Sequence, residues 1–245
     1  MAKTLADVLV VESPARLAEE GAEIFGRAAA EAIRERGRFT VALAGGATPR
    51  GLYARLAAPL ARAQVDWPRT WVFFGDERCV PPTDADSNYR MAAETLLAHV
   101  PVPAAQVFRM PGDATNPAAA AADYEARLRA AFDPGPVSLD LVLLGMGLDG
   151  HVASLFPNSP VLDEKDRLVA AVETRAAVVP RRLTLTLPVL NAARRALFLI
   201  SGIEKARAVA DALKNPASAL PAAKVRPTAG VVTWLLDRAA ASSLA

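Results

Sequence analysis

Cysteine is almost absent from this chain: Cys79 stands alone in 245 residues. A lone thiol leaves no internal disulfide framework, and a reducing, cytoplasmic setting is the expectation. Histidine is nearly as scarce, with only His99 and His151. One cysteine and two histidines cannot furnish an ordinary zinc site, so no metal is expected. No run of about 18 uncharged apolar residues occurs, which argues against a membrane span. The amino terminus, MAKTLADVLVVESPARLAEE, carries Asp7 and Glu12 where a signal peptide would have a long apolar stretch. No G-x-S-x-G elbow is present, so a serine hydrolase triad is not indicated. Dense Lys/Arg blocks are missing too, and nucleic acid is not an expected partner.

What the chain does have is apolar residues, 52 % of the total, enough for a sizeable core in one α/β domain spanning residues 1–245. Its net charge of +2 is unevenly spread. Residues 1–150 hold 15 Lys/Arg against 19 Asp/Glu, whereas residues 151–245 hold 13 against 7. A small anionic ligand fits such a local excess of cations better than a polyanion does.

Apolar runs that read as strands alternate with runs of helical period. The strands fall at 6–12, 38–46, 70–77, 138–147, 168–172, 182–188 and 195–202. The helices fall at 14–36, capped by Ser13 and ended by Gly37, and at 49–63, 87–100, 117–132, 203–214 and 228–244. The alternation predicts βαβ units, and so an open, mostly parallel, Rossmann-like sheet flanked by helices.

The most informative stretch is Gly145–Pro157, GMGLDGHVASLFP, directly after LDLVLL. Its first six residues match G-x-G-x-x-G. A dinucleotide site also needs a long helix after the glycines and an acid about 20 residues on. Pro157 and Pro160 stop any such helix within about two turns, and Glu173, which ends the next strand, lies 28 residues past Gly145. A second reading fits better: Asp149, Gly150, His151 and Ser154 gather at a helix start on the strand's carboxyl end, where free N–H groups attract anions.

Three other polar clusters follow apolar strands in the same way. Gly45, Gly46 and Thr48 make a plausible phosphate cradle, without the lysine of a nucleotide P-loop. Asp76, Glu77 and Arg78 follow WVFF, with Asn88 shortly after, and Lys205 sits in the first turn of a helix after ALFLI. A lysine there opposes the helix dipole, and a bound anion would relieve it. In open parallel sheets ligands bind outside the carboxyl ends of the strands, so the four clusters are expected to share one crevice. One histidine, several carboxylates and several cations suit acid–base chemistry on an anionic small molecule. His99, at the end of a helix, reads as structural.

In order, GGATPRGLY, FFGDERCVPPTDADSNYR, LLGMGLDGHVASLFPNS and SGIEKA resemble the glucosamine-6-phosphate isomerase/6-phosphogluconolactonase family, over most of the chain from about residue 38. The resemblance implies the sheet fold shared by glucosamine-6-phosphate deaminase and ribose-5-phosphate isomerase. It also implies hydrolysis of 6-phospho-D-glucono-1,5-lactone to 6-phosphogluconate, without a cofactor. It makes His151 the base and Asp149 its orienter or a cap. Lys205, Thr48 and Arg78 or Arg182 would hold the phosphate, and Asp76, Glu77 and Asn88 would shape the loops or meet sugar hydroxyls. The deaminase is the near alternative. Its block is similar to DGHIAFNEPG, with a glutamate where this chain has Phe156, and its DEY motif is DER here. A sugar-phosphate sensor without catalysis is a second alternative, although no DNA-binding segment is visible in the amino-terminal residues. The oligomeric state, monomer or small homo-oligomer, is left open.

Overall fold

Six strands pair in parallel, in the order β1 (Asp7–Val11), β9 (Val231–Asp237), β8 (Arg195–Ile200), β5 (Leu141–Leu144), β2 (Phe39–Leu43) and β3 (Thr70–Phe74). The computed structural model describes residues 7–175 and 177–244. Ala6, which the sequence reading placed in the first strand, lies outside them. The central strands are fully buried, as continuous apolar runs such as Phe39–Leu43 require when helices cover both faces. A second, antiparallel sheet of three strands, β4 (Asp76–Arg78), β7 (Arg181–Leu185) and β6 (Val169–Glu173), stands beyond the carboxyl end of β3. No described helix is long and apolar enough to cross a membrane.

Helix α1 (Pro14–Arg36) begins as its sequence dictates. Ser13 Oγ accepts from Arg16 N, proline occupies the first turn, and Gly37, at φ 76°, closes the last turn by donating to Ile33 O. Its stripe of Leu17, Ala18, Gly21, Ala22, Phe25, Ala28, Ala29 and Ala32 is buried. Phe25 meets Phe39 edge-on at 5.2 Å and Trp67 at 6.0 Å. Helix α5 (Pro117–Phe132) also has the predicted bounds, with Asn116 as its cap.

Elsewhere the elements depart from the sequence reading. The helix expected at 49–63 starts two residues earlier and divides into α2 (Ala47–Ala57) and α3 (Pro59–Ala63), because a residue before proline is pushed out of the helical region. The run at 70–77 is two strands in different sheets, parted at Gly75. The helix at 87–100 is α4 (Asn88–Thr95) plus a 3₁₀ turn, and that at 203–214 is a 3₁₀ turn over Ile203–Lys205 followed by α7 (Ala206–Lys214). A short helix, α6 (Leu187–Ala192), falls partly within the expected strand at 182–188. No helix starts within residues 150–155; the segment turns back on itself, with Val152 and Leu155 bridged. The largest correction is at 228–244, read as a helix: Val231–Asp237 is strand β9, slotted between β1 and β8. Its apolar run is buried on both faces, which hides any alternation from the sequence.

Phe25 sits at the junction of α1, β2 and the Trp67 turn with no exposed surface. Phe25→Ala is expected to cost about 3–5 kcal/mol in urea unfolding, with the unfolding slope unchanged.

Candidate active site

At the carboxyl ends of β2, β3, β5 and β8 lies a cleft lined by Gly45, Gly46, Thr48, Asp76, Arg78, Asn88, Gly147, His151, Arg182 and Lys205 among others. All four predicted clusters therefore reach one crevice. The strand order has its switch here, since the chain passes from β2 to β3 on one side of β5 and to β8 and β9 on the other.

The chain must leave each strand abruptly to build this cleft, and buried phenols take over where the ladder stops. Tyr53 Oη accepts from Ala44 N at 2.9 Å and donates to Ala44 O at 2.7 Å. Tyr124 Oη accepts from Phe74 N and donates to Phe108 O, both at 3.0 Å. Burial pushes both phenols well above their ordinary pKa, so they stay neutral donors.

His151 and Asp149 form a pair. The Nδ1 of His151 lies 2.6 Å from Asp149 Oδ1, and the backbone N–H of His151 donates to the same oxygen at 3.2 Å. An ionised carboxylate can only accept, so Nδ1 carries a hydrogen, and in the neutral tautomer this leaves the lone pair on Nε2. No helix starts here, so Asp149 caps a turn rather than a helix, its Oδ1 meeting both the backbone N–H and the Nδ1 of His151. The turn is tight by necessity. A Cβ at Gly147 would lie 2.1 Å from His151 Nδ1, and Gly150 has φ 77°. Phe156 packs against the imidazole, ring centroids 4.5 Å apart, and the Arg182 guanidinium lies over the same Phe156 ring, 5.7 Å from its centroid.

Asp76 anchors the opposite wall. The residue is buried, and its carboxylate accepts from Ser154 Oγ at 2.7 Å and Asn88 Nδ2 at 3.0 Å, with Arg182 Nη1 at 3.9 Å. Ser154 N donates in turn to Thr184 Oγ1 at 3.1 Å, which pins the segment after His151 to β7. Arg78 and Arg182 stand directly opposite each other on β4 and β7. Two cations so placed repel, and burial holds the Arg182 guanidinium below its ordinary pKa. With Lys205, three cations line the cleft against one lining carboxylate. Two buried polar atoms in the cleft wall, Arg78 Nε and Asn88 Oδ1, have no protein partner among the described residues. Such atoms cost free energy unless a ligand or water meets them.

Three residues expected to bind substrate do not line the cleft. Glu77 is buried, and its carboxylate accepts from the N–H groups of Arg78, Asn88 and Tyr89 and from Ser87 Oγ, so it anchors the start of α4. Burial raises its pKa against those hydrogen bonds. Ser154 is fully buried behind Asp76. Gly150 faces Leu220, and its carbonyl accepts from Ala222 N. Lys205 does not sit inside an α-helix but ends the 3₁₀ turn before α7. His99 lies outside the cleft, with Nε2 2.9 Å from Glu94 O. Tyr53, Gly147 and Thr184 were missed. Only Gly147 left a sequence signal, in its GMG turn: Tyr53 reads as one more buried position of α2, and Thr184 pairs with Ser154, 30 residues away. Among the described residues no three His, Cys, Asp or Glu side chains gather where they could hold a metal ion.

Fold and cleft together define an open-sheet α/β protein with a cation-rich cleft and a carboxylate-oriented histidine. The family model described as glucosamine-6-phosphate isomerases/6-phosphogluconolactonase matches residues 12–234, and the chain belongs to that family. It is 40 % identical over 241 residues to 6-phosphogluconolactonase of Rattus norvegicus, covering 97 % of this chain and 93 % of that one. The solved 6-phosphogluconolactonase of Trypanosoma brucei superposes with a TM-score of 0.87 at 31 % identity, covering 99 % of this chain and all of the other (100 %). A solved monomeric glucosamine-6-phosphate deaminase gives 0.81 at 25 % identity, over 97 % of this chain and 99 % of its own.

A Cβ on Gly45 would fall 1.9 Å from Asn88 Oδ1. Gly45→Ala is expected to push Asn88 off Asp76 and lower kcat/KM at least about tenfold, with thermal unfolding showing the fold retained.

Proposed function

We propose that the chain hydrolyses 6-phospho-D-glucono-1,5-lactone to 6-phosphogluconate, as one lactonase-like domain. The observation that carries this reading is the Asp149–His151 pair, 2.6 Å apart, in the same cleft as Lys205, Arg78 and Arg182. His151 Nε2 takes a proton from water while the water oxygen adds to the lactone carbonyl carbon. The tetrahedral intermediate's oxyanion meets Arg78 or backbone N–H groups of the Gly45–Gly46 and Gly145–Gly147 turns. The bond from the carbonyl carbon to the ring oxygen then breaks, and the imidazolium returns its proton to that oxygen. The products are a free hydroxyl and a carboxylic acid, which releases its remaining proton to solvent to become the carboxylate. Asp149 keeps the ring in the tautomer that can accept and steadies the imidazolium that forms.

At the far end of the substrate, Lys205 and one arginine, Arg78 or Arg182, hold the phosphate with Thr48. Gly45 and Gly46 admit it close to the backbone. Asp76 and Asn88 face sugar hydroxyls. The chemistry asks for no cofactor, since a lactone carbonyl is already electrophilic. Deamination of an amino sugar would need a further proton carrier where Phe156 stands, and a benzyl ring carries none. The proposal extends to a reducing, cytoplasmic setting, which rests on composition alone.

His151→Ala is expected to lower kcat on freshly made lactone by roughly 10²–10⁴-fold after subtraction of spontaneous hydrolysis. Full retained activity would refute the base, and ammonia release from glucosamine 6-phosphate would favour the deaminase. A pH test follows from Lys205. Burial lowers its ammonium pKa below the ordinary 10.5, against the opposing pull of Glu204 and Asp237. Deprotonation removes the charge that meets the phosphate, so binding of 6-phosphogluconate should weaken as pH rises, beginning below 10.5. In Lys205→Arg the weakening should move to higher pH, as calorimetric titration would show.

A further inference from the structure

We infer that Asp237 is the positioning residue for Lys205. The inference rests on the reading that Lys205 meets the substrate phosphate. Asp237 ends β9, next to β8 in the sheet, and is 3 % exposed. Both of its oxygens are used. Ser201 Oγ donates to Oδ2 at 2.5 Å, Gly202 N donates to Oδ1 and Oδ2 at 3.2 and 3.3 Å, and Ala240 N donates to Oδ1 at 2.8 Å.

Ser201 and Gly202 are the first residues past the end of β8. Gly202 takes φ 107°, which few residues other than glycine adopt, and its carbonyl accepts from Lys205 N at 3.2 Å to close the 3₁₀ turn. The path from the Asp237 carboxylate to the Lys205 backbone is thus two hydrogen-bonded steps inside one turn. The carboxylate also acts on the ammonium through space. Lys205 pairs with no carboxylate within ion-pair distance among the described residues, and the fields that favour its charge come from Glu204 and then Asp237. Glu204 is exposed and screened by salt, whereas Asp237 is buried, where screening is weaker. No ligand or water is required for this arrangement: a buried carboxylate fixes the turn and offsets part of the desolvation of the cation it delivers.

The test is a double-mutant cycle with Lys205→Met and Asp237→Asn, read by lactone kinetics and by calorimetric binding of 6-phosphogluconate. Asp237→Asn keeps the shape and removes the charge. It should raise KM and Kd about tenfold with kcat within about twofold. Lys205→Met should raise both at least as much, and the double variant should match Lys205→Met alone, since the first effect acts through the second. Unchanged Kd in Asp237→Asn, or losses that add in the double variant, would overturn the inference while the phosphate reading stands. If Lys205→Met itself leaves Kd unchanged, the phosphate reading fails and takes the inference with it. Should Asp237→Asn not fold, Ser201→Ala, which removes one hydroxyl and keeps the charge, enters the same cycle. A smaller rise in Kd that vanishes in the Lys205→Met background supports the role, and a rise that persists there refutes it.

Discussion

Six parallel strands end on the same edge, and at that edge the backbone runs out of ladder partners. A buried N–H or carbonyl cannot go unpaired without a cost of a few kcal/mol, so each strand that ends inside the protein needs a substitute partner. The substitutes here are side chains with more than one hydrogen-bonding position. Tyr53 serves the end of β2, Tyr124 the end of β3, and Asp237 the turn after β8. Glu77 plays the same part for the first N–H groups of α4. Because these groups hold the chain, the loops beyond them can turn within a residue or two, through Gly45, Gly75, Gly147 and Gly202, and leave a cleft instead of a filled core.

The same edge concentrates charge. Arg78, Arg182 and Lys205 reach the cleft from three different elements, while the carboxylates nearby are committed elsewhere: Asp76 to Ser154 and Asn88, Asp149 to His151, Asp237 to Ser201 and Gly202. Three cations line the cleft against one carboxylate, Asp76, which leaves a local excess of positive charge. That division of labour explains why a chain of net charge only +2 can present a site suited to a phosphorylated sugar.

Much of this was legible in the chain. Ser13, Pro14 and Gly37 mark α1 because capping chemistry is local, and Asn116 marks α5 for the same reason. The four clusters were legible because glycine turns after apolar runs report a strand end. What the sequence could not separate were roles that depend on direction. Glu77 and Asp76 are neighbours, yet one points into the wall and the other toward the cleft, as alternation along β4 demands. Ser154 and His151 share a motif, but only the imidazole reaches the cleft. Asp237 was hidden inside a run read as a helix, which the structure places in strand β9.

The sequence by itself determined the α/β alternation, the strand ends that carry polar residues and the family motifs, since all of these are set by neighbours within a few positions. Only the tertiary structure decided that Val231–Asp237 joins the sheet, that β4 leaves β3 at Gly75 to pair with β7, and that Glu77, Ser154 and Gly150 face away from the cleft. Apart from Glu77, whose partners lie within 12 residues, those outcomes rest on partners 30 or more residues distant, whose hydrogen bonds and burial outweigh local preference and leave no mark on the chain's own spacing.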